Sequence, residues 1–300
     1  MRRRRQRAPI FARRRRSGGR LLATALVAAS AVAAALAVAR VLGDGQPSAA
    51  DPGPVHVHAL GVNPADGSLF IATHTGLFRL APDAESAVRV GDRYQDTMGF
   101  TVAGPDLFLG SGHPDLRDDL PPLLGLIESR DAGETWTPIS LLGKVDFHAL
   151  RVRGRLVAGY DATGGRVMIS GDRGESWRST RPPEPLIDLV LDPASPGRLL
   201  AAGESRLFAS ADSGSSWTQL EEGSGLLAWP HPDRLYLLDG TGRVWLSPDG
   251  GRRWQGRGRI GGRPAALLAT AAETLFAATH EGEIKHSSDG GVSWTTRSRP

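Results

Sequence analysis

From Val55 onward, short apolar runs alternate with polar breaks rich in Gly, Asp and Ser, and the runs recur in a fixed order. One run opens each unit, as in "FHALRV", "LIDLVL" and "AALLAT". A second follows, as in "LFIATH", "LFLGSG", "LVAGY", "LLAAG", "LYLLD" and "LFAATH". A third, such as "GLFRL", "RVMIS", "RLFAS" or "RVWLS", leads into a polar octet, and a short mixed run closes the unit. Runs this short, bounded by turn residues, read as strands. The octets are "SRDAGETW" (129–136), "SGDRGESW" (170–177), "SADSGSSW" (210–217), "SPDGGRRW" (247–254) and "SSDGGVSW" (287–294), all of the form Ser-x-Asp-x-Gly-x-x-Trp. Their tryptophans are spaced by 41, 40, 37 and 40 residues, and "APDAESAV" (81–88) is a degenerate sixth copy that keeps Asp83. Four short strands per unit at this period predict an all-β, six-bladed β-propeller, with blades near 55–93, 94–142, 143–183, 184–222, 223–259 and 260–300.

The octet has a physical reading as the turn between third and fourth strands. Asp131, Asp172, Asp212, Asp249 and Asp289 can each accept backbone N–H bonds, and the glycine two positions on can take a positive φ. The serine hydroxyl can bond locally, and Trp136, Trp177, Trp217, Trp254 and Trp294 can bury their rings between neighbouring blades. Local bonding accounts for these side chains without a bound calcium or sugar.

The octet looks like the Asp-box, and residues 55–300 resemble the bacterial BNR-repeat proteins. These include sialidases, other propeller glycosidases, sortilin-type receptor propellers and a photosystem assembly factor. The whole pattern is most similar to exported proteins described as glycosylhydrolase-like. A sialidase would need three carboxylate-binding arginines, a tyrosine nucleophile with a glutamate partner, and an aspartate acid–base. Here "FRLA" (78–81) is only a faint, misplaced echo of the arginine motif, and Tyr94, Tyr160 and Tyr236 lack a nucleophile context. The resemblance therefore implies a binding propeller or a glycoside hydrolase, not specifically a sialidase.

Charge divides the chain in two. The first twenty residues hold ten arginines and no acid, whereas beyond residue 50 there are 25 basic and 31 acidic residues. The overall formal charge of +4 is thus no argument for nucleic acid. Residues 21–39, "LLATALVAASAVAAALAVA", carry no charge and follow the arginines as a membrane-inserting segment follows a cytoplasmic n-region. The expected organisation is a basic segment 1–20, a membrane anchor or signal h-region 21–43, a linker 44–54 and the propeller. The body is then exported: outside the cytoplasm on the cell membrane, or secreted if cleavage occurs near "AVA" (37–39) or "SAA" (48–50). There is no cysteine, which excludes disulfides, a thiol nucleophile, cysteine metal ligands and a lipidated junction. A monomer is the default expectation.

In a propeller the octets mark one end of every blade, the bottom, while first strands start and second strands end at the top. That rule places six of the eight histidines on top: His56, His58, His74, His113, His148 and His280. "VHVHALGV" (55–62) aligns with "VDFHALRV" (145–152), so that Asp146 matches His56 and His148 matches His58. His231 and His286 fall toward the bottom. Acids expected at top positions are Asp96, Asp146, Asp161, Asp188, Glu204 and Asp239. Blade 2 also carries an insertion, "HPDLRDDLPP" (113–122), of the kind that covers a channel mouth. Imidazoles beside carboxylates suit a divalent transition metal, with His56, His58 and His148 as candidate ligands. The six histidines can equally line a site for a protein or glycan. If the protein is a glycosidase, Asp96, Asp146, Asp161 and Asp188 are the candidate carboxylates.

Overall fold

The computed structural model describes Asp51 and residues 53–300. The basic block 1–20, the apolar segment 21–43 and most of the linker lie outside the described residues. No helix among the described residues is long and apolar enough to cross a membrane.

Twenty-four strands are described, in six sheets of four. The first sheet holds β1 (Val57–Val62), β2 (Leu69–Thr73), β3 (Gly76–Leu80) and β4 (Val88–Arg89). The second holds β5 (Asp96–Gly104), β6 (Leu107–His113), β7 (Leu126–Ser129) and β8 (Thr137–Ser140). The third holds β9 (Phe147–Arg153), β10 (Leu156–Asp161), β11 (Arg166–Ser170) and β12 (Arg178–Thr180). The fourth holds β13 (Leu186–Leu191), β14 (Leu199–Gly203), β15 (Arg206–Ser210) and β16 (Thr218–Glu222). The fifth holds β17 (Gly225–His231), β18 (Arg234–Asp239), β19 (Arg243–Ser247) and β20 (Gln255–Arg259). The sixth holds β21 (Pro264–Ala269), β22 (Leu275–Thr279), β23 (Ile284–Ser287) and β24 (Thr295–Ser298).

Strands within a sheet follow chain order and pair antiparallel. The first strands pack side by side in sequence, and β21 packs back on β1, which closes a six-bladed propeller. The insertion between β6 and β7 contains no strand and adds no seventh blade. The degenerate octet copy goes with the shortest fourth strand, β4.

Burial explains the composition of the runs. Second strands are covered on both faces, and β2 and β14 are buried at every position, so they read as unbroken apolar runs. Fourth strands such as β8 and β12 lie at the rim, half or fully exposed, and are polar. Each apolar cluster is shared by two neighbouring sheets. Phe70, Phe100 and Phe108 join the first and second, with ring centroids 4.7 Å and 5.4 Å apart. Val57, Ile71 and Phe78 meet Ala266, Ala278 and Ile284 where the ring closes.

The octets form one repeated turn. Ser170 Oγ donates to Asp172 Oδ1 at 2.6 Å and accepts from Gly174 N–H at 2.7 Å. Asp172 Oδ1 in turn accepts the Ser176 N–H at 3.0 Å. The same bonds recur around Ser129, Ser210 and Ser287. Two successive left-handed residues are required, Arg173 at φ 68° and Gly174 at φ 92°, and the last two octets meet this demand with Gly-Gly. The tryptophans are partly buried, each against the cluster shared with the preceding sheet; Trp177, for example, stacks on Phe147 at 5.1 Å.

These turns imply an acid-sensitive fold. Hydrogen bonds from octet hydroxyls and N–H groups hold Asp172, Asp212 and Asp289 below the usual carboxylate range, Asp212 at about 2. A carboxyl depressed in the fold contributes stability above its unfolded value of about 3.9, and that contribution is lost as pH falls toward the folded value. As these carboxyls protonate, the midpoint of thermal unfolding is expected to drop between about pH 4.5 and pH 2.5. A midpoint unchanged down to pH 2.5 would contradict this.

Gly53 and Pro300 both lie on top. A side chain at Gly53 would come within 3.7 Å of the Pro300 backbone, and one at Gly282, in the turn after β22, would strike Pro300. Arg297 donates to the carbonyls of Ala81, Pro82 and Ala84, which ties the last blade to the first.

Candidate functional site

The top of the ring is shaped by a repeated irregularity. In five of the six sheets the pairing of first and second strands skips one residue near the top. The skipped residues are His58, Met98, His148, Ile187 and Ala265. A bulge re-aims its extra side chain, and all five line a central cavity of about 380 Å³. His56 and His58 are therefore not alternate residues on one strand face. β1 begins only at Val57, His56 precedes it with φ 54°, and His58 occupies the bulge. The two rings instead approach His74 separately, His58 edge-on at 4.3 Å and His56 at 5.5 Å between centroids.

Around Asp96 the polar side chains converge. His74 Nδ1 lies 2.9 Å from Asp96 Oδ2, His113 Nδ1 lies 3.4 Å from the same oxygen, and His58 Nε2 lies 3.6 Å from Oδ1. The far side of His113 reaches Asp146, with Nε2 4.0 Å from Oδ2, and His148 Nε2 is 2.8 Å from that oxygen. Five of the six histidines therefore form one string across the first three blades, threaded by Asp96 and Asp146. His280 stands at the position equivalent to His74 but is exposed, with its N–H given to the Arg263 carbonyl. No ion pair or ring contact among the described residues joins it to the string.

The string is electrostatically uneven. Burial, with the neighbouring His74, lowers His58 to about 3, so its imidazole is neutral under ordinary conditions. Burial pushes the Asp96 carboxyl up, but bonds from His113 and His74 outweigh it and bring the group to about 2. His113 is raised by its bond to Asp96. His58 Nε2, Asp96 Oδ1 and Asp146 Oδ1 are buried with no hydrogen-bond partner among the described residues. The group of potential metal ligands whose atoms lie within 4.8 Å of one another is His58, His74 and Asp96. Of the trio drawn from sequence, this group retains His58, while His148 turns to Asp146.

The remaining candidate carboxylates are placed differently. Asp188 is buried in the channel wall, where it accepts from Arg151 Nη2 at 2.6 Å, Leu189 N–H at 2.7 Å and Leu227 N–H at 2.9 Å. Burial pushes its carboxyl up against the pull of Arg151. Asp161, fully buried at the end of β10, pairs with Arg166 at 3.0 Å. Asp239 closes its own turn by accepting from Thr241, Arg243 and Trp245. Glu204 is exposed. Tyr160 and Tyr236 are buried, and the Tyr236 hydroxyl donates to the Ala272 carbonyl. His231 is exposed at the bottom beside Asp233, and His286 packs on Phe276.

Sequence reasoning missed the framework of the insertion. Asp115, 3% exposed, accepts the N–H groups of Tyr94 and Arg117 and the Arg117 guanidinium. Arg117 also reaches Asp92, and Arg93 pairs with Asp118. Arg89 and Arg117 both lie over the Tyr94 ring, at 4.1 Å and 5.3 Å. Leu116 and Tyr94 are nonetheless 77% and 48% exposed. The loop and the segment around Tyr94, to which it is bonded, form a braced platform with Leu116 and Tyr94 exposed on it. Arg151 was also missed, although a charge within the apolar run "FHALRV", where "VHALGV" has Gly61, was the available signal.

No family model matches the chain. A xyloglucanase from Paenibacillus sp is 23% identical over 269 residues, covering 76% of this chain and 24% of that protein. The chain thus spans about a quarter of that curated relative's length. Among solved structures, YCF48 bound to D1 peptide superposes with a TM-score of 0.54 at 14% identity, over 82% of this chain and 83% of that one. The GH74 xyloglucanase from Xanthomonas campestris gives 0.54 at 19% identity, over 84% and 46%. These likenesses show the class, a β-propeller resembling the YCF48 and GH74 propellers. At such identities they carry the fold alone.

Proposed function

We propose that this protein is an exported, membrane-anchored propeller whose top face captures a protein segment beside the histidine string. The observation that carries this reading is the braced loop between β6 and β7. Asp115 and its partners hold the loop in place, yet Leu116 in the loop and Tyr94 in the segment ahead of β5 remain exposed. A pre-organised surface with apolar tips loses little entropy when a partner lands on it. The likeness to a propeller whose solved structure holds a peptide supports the same reading. The arginine-rich block ahead of the apolar segment 21–43 supports export with the propeller outside the cytoplasm.

A second reading, glycoside hydrolysis, draws on the xyloglucanase likenesses. The candidate carboxylates argue against it. Asp188 is saturated by three donors, Asp161 is paired with Arg166, and Asp96 and Asp146 are both engaged by histidines. A glycosidase needs one carboxyl held protonated and reachable by substrate, and Asp96 is pulled the opposite way.

A photo-reactive residue at Leu116 tests the proposal in the native membrane. One discrete protein adduct is expected there, lost on Tyr94→Ser and absent when the probe stands at His231 on the opposite face. Equal labelling from both faces, or none from Leu116, would sink the protein-binding reading. Hydrolysis of xyloglucan or an aryl glycoside, abolished by Asp96→Asn or Asp146→Asn, would replace it with the enzymatic one.

A further inference from the structure

We propose that His58, His74 and Asp96 form a binding site for a single divalent transition-metal ion of the imidazole-favouring class, such as Zn2+ or Cu2+. The site shares the top face with the protein-capture surface but does not rest on that reading.

Two observations carry it independently. The first is composition and convergence. Two imidazoles and one carboxylate, from β1, the turn after β2 and the start of β5, bring one ligand atom each to within 4.8 Å of one another. Two nitrogens and one oxygen are a donor set that zinc and copper(II) accept, with a fourth position left for water or a bound group.

The second is a pair of unpartnered atoms. His58 Nε2 and Asp96 Oδ1 are both buried, neither has a hydrogen-bond partner among the described residues, and they face each other at 3.6 Å. Leaving two such atoms unmatched is costly. At 3.6 Å they are too far apart to bond each other. Metal–ligand bonds of about 2.0–2.2 Å arranged tetrahedrally place neighbouring ligand atoms roughly 3.3–3.6 Å apart. The gap between these atoms is thus close to the edge of a coordination polyhedron. The set as a whole must tighten by about an ångström to reach bonding geometry, and His74, 33% exposed, is the member with room to move.

The surroundings fit a ligand set as well. His113 leans on Asp96 Oδ2, the oxygen not facing His58, and is itself backed by Asp146. Groups that orient a ligating carboxylate in this way typically tune metal affinity tenfold or more. The bulge in β1 adds a reason for the local backbone. A regular strand would point His58 elsewhere, and the skipped register turns it into the group.

The decisive measurement is titration of the metal-stripped, full-length chain with ZnCl2 and, separately, CuCl2, followed by calorimetry and by metal content after desalting. One equivalent is expected with either ion. His58→Ala and His74→Gln should each weaken binding at least tenfold, and Asp96→Asn by a similar factor. His231→Ala, on the opposite face, should leave the affinity unchanged. Circular dichroism and melting of each variant without metal separate lost ligands from lost fold, and His74→Gln keeps a polar side chain in place should His58→Ala fail to fold. Absence of saturable binding with both ions overturns the proposal. So does binding that survives in His74→Gln and Asp96→Asn, or that disappears in His231→Ala. Because no partner protein takes part, these results are independent of the crosslinking outcome.

Discussion

Asp188→Ala is expected to lower the midpoint of thermal unfolding by on the order of 10 °C, the largest effect of any single polar substitution in the channel wall. The carboxylate bridges three neighbouring blades: Arg151 comes from β9, Asp188 from β13 and Leu227 from β17. Removing it leaves a guanidinium without its counter-charge and two buried N–H groups without an acceptor. Breaking one side of a buried ion pair costs about 3–5 kcal/mol; Arg151 keeps 27% of its side chain exposed, which puts this pair at the lower end, and each kcal/mol is worth about 2–4 °C for a domain approaching this size. The pair need not stabilise relative to a well-packed apolar wall, since desolvating the charges is itself costly. The double substitution Asp188→Leu with Arg151→Met should therefore melt above Asp188→Ala. A single variant that melts within 2 °C of the parent would show that the bridge is not structural.

The second large effect concerns the fit of Phe147. Its ring is fully buried between the second and third sheets with Leu109, Leu126 and Met168, and it stacks on Trp177. Room for it comes from glycine: a Cβ at Gly159 would lie 2.5 Å from the ring, and one at Gly99 only 2.4 Å from the Phe147 carbonyl oxygen. Phe147→Ala should cost about 3–5 kcal/mol, and Gly159→Ala about 1–3 kcal/mol through overpacking. The two sites touch, so their effects should not add. Phe147→Leu combined with Gly159→Ala is expected to be more stable than the sum of the single changes, measured by urea unfolding. Strict additivity would mean that the close approach is not what excludes a side chain at 159.

Much of this architecture is written in the spacing of one residue type. Because the turn has narrow chemical requirements at four positions, tryptophans about forty residues apart, each closing a Ser-x-Asp-x-Gly octet, mark five of the six blades, and the degenerate copy at 81–88 marks the other. The side of the ring on which the histidines fall follows from the same count, since an antiparallel four-stranded unit leaves no freedom in which ends face up. Local register is another matter. The bulges that aim His58 and His148 into the channel each add one unpaired residue to a first strand without calling for a special residue type, so nothing in "VHVHALGV" betrays them. The isolation of His280 is equally hidden. Its run "LFAATHEG" mirrors "LFIATHTG", but the start of its own blade carries Arg263 where the first blade has His56. Repeats reveal equivalent places, and non-equivalent neighbours then decide which of those places meet.

The meeting of Gly53 with Pro300 on the histidine face has a practical consequence for anyone handling the protein. An affinity tag, fluorophore or surface linkage placed at Gly53 or Pro300 would crowd the face whose binding is to be measured. The octet turns offer the unobstructed alternative. Exposed positions such as Arg253, on the far side of the ring, are where a label can be attached while the channel mouth stays clear.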